Sequence, residues 1–118
     1  MFALLAKYMP QPPAGAPAPA PPILWGDPGV VRSRLGDAVT DLEFGRGVML
    51  SPALSPGHAL AFMEVSFGPL KRLLAGLASQ PGTLAALRRD ILRLLGAGFW
   101  DNAMHQDFLL SRATKRAA

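Results

Sequence analysis

There is no cysteine among the 118 residues, which excludes a disulfide framework, a thiolate metal site and a cysteine nucleophile. Histidine occurs twice, as His58 and His105. The two fall in different predicted elements, and neither has a second ligand three or four residues away on a helix, so metal-site spacing is missing. Met1 to Ala6 is apolar with Lys7 behind it and nothing basic ahead, which is not the layout of a secretory signal. The first 31 residues hold one lysine and no arginine, unlike a mitochondrial presequence. No run approaches the ~20 apolar residues that cross a bilayer. No membrane span is expected, and a cytoplasmic protein is. Gly45-Arg46-Gly47 is a G-x-G; it has no third glycine and no helix start after it, so it is not a phosphate loop. No G-x-S-x-G elbow is present.

What is there is half hydrophobic, with 12 prolines and 12 glycines. The prolines crowd the start. Twelve basic against eight acidic residues leave a net charge of +4, but the basic residues are scattered. Lys71-Arg72 and Arg88-Arg89 with Arg93 fit the solvated sides of amphipathic helices, so no nucleic-acid partner is expected.

Phe2 to Tyr8 reads as a helical turn too short to stand unaided. Seven prolines between Pro10 and Pro22 then forbid a helix ladder and favour an extended strap, which Trp25 is expected to dock onto the body. Asp27-Pro28 is an N-cap followed by proline at the first helical position, and Gly36 stops that helix. Val39 to Leu50 alternates with period two and reads as a strand or a bent pair of strands. Its glycines allow a bend on either side of Arg46. Ser55-Pro56 opens a helix whose stripe is Leu60, Met63, Phe67, Leu70, Leu74 and Leu77, and Gly68-Pro69 should kink or break it near Phe67. Thr83 is the expected cap of a second stripe, Leu84, Leu87, Ile91, Leu94 and Leu95. Phe99 to Gln106 reads as a loop, and Asp107 to Thr114 as the final strand.

Taken in order, Leu5 to Pro10 running into the strap, Leu24-Trp25-Gly26-Asp27, Leu35-Gly36-Asp37, Val39 to Phe44, Ser55-Pro56, Phe67-Gly68-Pro69 with Lys71, and Phe108 to Arg116 resemble the C-terminal part of class I S-adenosylmethionine-dependent methyltransferases, the ubiquinone/menaquinone-biosynthesis kind above all. The resemblance implies an α+β fragment of a Rossmann-like α/β fold. It would have about two antiparallel strands, the sixth and seventh of the family sheet, with three to four short helices. Residues 1–23 would be a partial helix and strap, and 24–118 the substrate-side portion. The glycine-rich turn that holds the cofactor in that family has no counterpart here. Methyl transfer to a small-molecule acceptor therefore belongs to the intact family, and this chain alone is expected neither to transfer methyl groups nor to bind S-adenosylmethionine. Tyr8, Trp25, Met63 and Phe67 are the substrate-pocket candidates, since aromatic and Met side chains line such pockets; core packing is the competing reading for all four. No catalytic, cofactor-binding or metal residue is assigned.

The alternative function is a small interaction module that associates through an exposed strand edge and an apolar helix face. Its partner would be a second copy or a separately encoded N-terminal half.

Overall fold

The spacing of leucine decides where the core forms. The computed structural model of the protein describes residues 1–17 and 20–117. In chain order the elements are α1 (Phe2–Ala6), α2 (Pro28–Leu35), β1 (Val39–Pro52), α3 (Pro56–Ser66), α4 (Gly68–Gly76), α5 (Pro81–Ala97), β2 (Phe99–Trp100) and β3 (Ala103–Lys115), with short 3-10 segments at Pro22–Gly26 and Gly36–Ala38. The chain divides into two compact units, Met1–Ala18 with Leu50–His105 and Pro19–Met49 with Gln106–Ala118.

In the first unit, Leu60, Leu70, Leu77, Leu87, Ile91 and Leu95 are buried as their helical spacing predicts, joined by Leu5, Leu73 and Met104. Leu94 departs from that pattern and is exposed. The short α1 survives because Leu5 enters this core and the Phe2 ring meets Phe67 edge-on at 5.8 Å. Each fully buried leucine stabilises the fold by about 1.5–3 kcal/mol. The ion pair between Arg88 of α5 and Glu64 of α3, 2.7 Å apart, is solvent-exposed and of a kind that contributes about 1 kcal/mol or less. Apolar packing therefore holds α3 to α5, and the ion pair only orients them.

Proline and serine set the helix starts. The Ser55 hydroxyl accepts from the His58 N–H at 3.0 Å with Pro56 in the first turn. Asp27 accepts from Gly29 and Val30 in the same way. The predicted break at Gly68-Pro69 is complete: Phe67 is extended, and α3 and α4 are separate helices. Thr83 is not the cap of α5, which starts at Pro81 after Gln80, because proline's fixed φ suits the first helical position.

The second unit contains α2, whose Val31 is buried, and most of the lengths of β1 and β3. Trp25 does not dock the strap: it remains 53 % exposed with the Arg34 guanidinium 4.6 Å from its ring centre. Positions 18 and 19 of the strap lie outside the described residues.

The sheet has three strands in the order β1-β3-β2. β2 and β3 are antiparallel, with Phe99 opposite Met104 and Trp100 opposite Ala103. β1 is also antiparallel to β3. The Ala53 N–H donates to the Asn102 carbonyl at one end of the pair, and the Arg116 N–H donates to the Ala38 carbonyl at the other. Glu43 faces Arg112, with which it forms an ion pair, and Gly47 faces Phe108. The register is constant from Asn102 to Arg112 and slips by one residue beyond it. Asp41, at φ 52° within β1, is the extra residue of a bulge that accounts for the slip.

These strands correct the Rossmann-like expectation. No parallel pair occurs among the described residues, and the sheet has three antiparallel strands rather than two. The physical reason is local. Asp101 and Asn102 have φ 49° and 53°, the left-handed pair of a two-residue hairpin turn. Such a turn reverses the chain, whereas parallel neighbours need a crossover of a dozen or more residues. The stretch expected to be a loop, Phe99 to Gln106, is this hairpin. Gly47 also has a different role from the expected bend: β1 runs through it unbroken, and a Cβ there would lie 2.5 Å from the Phe108 ring.

If the left-handed pair sets the hairpin, Asn102→Gly will raise the urea midpoint, because glycine adopts positive φ without strain. Asn102→Val will lower stability by about 1–3 kcal/mol. Equal midpoints for both variants would remove the turn from this role.

Candidate functional site

An open groove of about 730 Å³ lies in the first unit, bordered by Tyr8, Arg72, Leu73, Leu77 and Gln80 among others. Tyr8, on its border, donates its hydroxyl hydrogen bond to the Asp90 carboxylate of α5 at 2.6 Å. The hydrogen bond from Tyr8 is the main reason that Asp90 titrates below the usual carboxylate range; Arg89, Arg93 and Lys7 push the same way, against partial desolvation. The same hydrogen bond, with desolvation and the Asp90 charge, raises the Tyr8 phenol above its ordinary value.

Of the four pocket candidates, Tyr8 borders the groove. Tyr8, Met63 and Phe67 each lie half-buried against the leucine core of the first unit, and Met63 and Phe67 do not line the groove. Trp25 belongs to the second unit. The histidines have structural contacts. His58 Nδ1 accepts from the Leu54 N–H at 3.2 Å, returning across the α3 N-terminus the bond that Ser55 makes to its own N–H. His105 stacks on Trp100 with centroids 3.5 Å apart. Among the described residues no three His, Cys, Asp or Glu side chains gather as a metal site would require, and no helix is long and apolar enough to cross a membrane.

The most distinctive surfaces are apolar. α3 has one charged residue, Glu64, and that carboxylate is engaged by Arg88. Its solvent side then presents Phe62 at 65 % and Val65 at 70 % exposure, preceded by Leu54 at 79 %. Apolar periodicity marks the inward face and not these residues; their signal in the sequence is an eleven-residue helix with a single charge.

In the sheet, Val48, Met49, Phe108 and Leu110 are exposed, and the two edges differ. β2 pairs only with the first residues of β3, and the last bond on that side is from the His105 N–H to the Gly98 carbonyl at 2.8 Å. From Gln106 onward that side of β3 has no neighbouring strand among the described residues. Backbone groups alternate between the two sides of a strand. Ala103 and His105 bond towards β2 and Asn102 towards β1, so the groups of Asp107, Leu109, Ser111, Ala113 and Lys115 face the open side.

No family model matches the chain, and no solved structure matches it. Among curated sequences it is 29 % identical over 117 residues to the uncharacterized protein Rv1405c of Mycobacterium tuberculosis, covering 98 % of this chain and 42 % of that protein. The uncharacterized protein Mb1440c of Mycobacterium bovis matches to the same extent. The chain thus spans about two-fifths of the length of these relatives.

These findings correct the methyltransferase reading. Its fold expectation fails on the antiparallel sheet, and no family model supports the membership or the activity drawn from it. The ordered pieces that carried the resemblance are turn, cap and strand signals, which many folds share.

The Tyr8–Asp90 bond makes a pH prediction. Asp90 is depressed in the folded chain, so its contribution is present above the ordinary carboxyl value and is lost as pH falls through the folded one. Tyr8 is raised, so its contribution is present below the ordinary phenol value and is lost as pH rises through the raised one. Tyr8→Phe will move the Asp90 titration midpoint, followed by carboxyl NMR, up towards the ordinary value. An unmoved midpoint would show that the hydrogen bond is not the cause.

Proposed function

We propose that this chain is an interaction module, which binds another polypeptide through an exposed strand edge in one unit and the apolar outer face of α3 in the other. The observation that carries the reading is the α3 face. Its single carboxylate is spent on Arg88, and the side chains left towards solvent, Phe62 and Val65 with Ala61, His58 and Ser66, carry no carboxylate, ammonium or guanidinium. Exposed apolar clusters of this kind mark interaction sites. The open side of β3 supports the same reading, because an unpaired edge is a template for another strand.

The partner is a second copy of the chain.

Light scattering behind size exclusion tests the proposal. The native chain is expected to exceed its monomer mass as concentration rises. Phe62→Glu with Val65→Glu will weaken that association by about tenfold or more while leaving the helical circular dichroism unchanged, since charging the centre of an apolar contact forfeits one to several kcal/mol. A native chain that stays monomeric up to about millimolar concentration, the weak limit of specific association, would overturn the proposal.

A further inference from the structure

We propose that the open side of β3, residues 107–115, is where a second copy of this chain pairs, antiparallel and centred on Ser111 opposite Ser111; this rests on the interaction-module reading and names its partner.

Two antiparallel copies of one strand related by a two-fold axis place residues i and j opposite each other with i + j constant and even, so that paired side chains share a face. Centring on Ser111 places Asp107 opposite Lys115, Leu109 opposite Ala113 and Ser111 opposite itself. These residues are the ones whose N–H and C=O groups face the open side, so every group left unpaired within a single copy gains a partner. The charges also match: the strand has Asp107 at one end of the stretch and Lys115 at the other, and the two-fold axis brings them together twice. On the other face Phe108 meets Thr114 and Leu110 meets Arg112, which places the exposed Phe108 and Leu110 beside partner side chains. Opposite-charge and apolar cross-strand pairs of this type favour the register that contains them.

The outer side of β1 is a poorer template. Ala53 bonds to β3, so by alternation Pro52, which has no N–H, lies on the outer side, and the bulge at Asp41 interrupts the run. Proline and bulges are the devices that block edge pairing. β3 has neither proline nor glycine, and no residue at positive φ, from Ala103 to Lys115.

Because the chain has no cysteine, a single introduced cysteine is unique. At an opposed hydrogen-bonded pair the Cα atoms are about 5.5 Å apart, within the span a disulfide bridges. Under a glutathione redox buffer, Ser111→Cys will form a covalent dimer. Asp107→Cys will not pair with itself, being roughly 27 Å from its copy, but it will link to a Lys115→Cys chain mixed with it. Cross-linking of Ser111→Cys at least about tenfold faster than of Asp107→Cys is expected from the difference in effective concentration.

Ser111→Pro removes an N–H on the open side and none on the β1 side, so it will be monomeric by light scattering with unchanged circular dichroism. A native dimer in which Ser111→Cys fails to link, or in which Gly45→Cys on β1 links instead, overturns this inference and leaves the interaction-module reading standing. A native chain with no associated species overturns both.

Discussion

Asp101 and Asn102 sit side by side in the left-handed region, and the direction of β3 follows from them. The turn sends β3 back along β2, which is long enough to pair with only its first residues. β1 takes the opposite side of β3 for almost its entire length, as the bonds near Asn102 and Arg116 show. A strand bonded on one side throughout and on the other only at its start necessarily has a long row of free donors and acceptors. The strand edge is thus a consequence of a two-residue constraint.

The helical unit reaches an unfinished surface by another route. α4 and α5 separate their faces: Leu70, Leu73, Leu87, Ile91 and Leu95 are buried while Lys71, Arg72, Arg89 and Arg93 stay in water. α3 does not separate them. Leu60 enters the core, yet Phe62 and Val65 on the far side are as apolar as the residues within, and its one carboxylate reaches Arg88. Such a helix is normally covered on both sides. Here one side is covered by the leucines of its own unit and the other is free for a partner, which ties packing directly to the proposed function.

Features governed by neighbours in sequence were legible. Asp27 and Ser55 cap the helices they were expected to cap, Gly68-Pro69 separates α3 from α4, and the leucine stripes, Leu94 excepted, lie where their spacing puts them. Features governed by distant residues were not. Gly47 looked like a bend, but it leaves room for Phe108, which arrives from the other end of the chain. Tyr8 meets Asp90 across 82 positions, and no local signal announces that bond. The largest error was the parent sheet: the resemblance implied a parallel Rossmann-like one, and the sheet present is antiparallel. Parallel and antiparallel strands share the same side-chain alternation, so ordered fragments of a familiar pattern could not decide it. The Asp-Asn dipeptide was the available clue.

The account depends on β3 being hydrogen-bonded along one side only, and residue-resolved amide hydrogen exchange in dilute solution measures that directly. It predicts slow exchange at Phe108, Leu110 and Arg112, whose N–H groups face β1, alternating with fast exchange at Leu109, Ser111 and Ala113. Equal protection at consecutive residues from Phe108 to Ala113 in the monomer would contradict it.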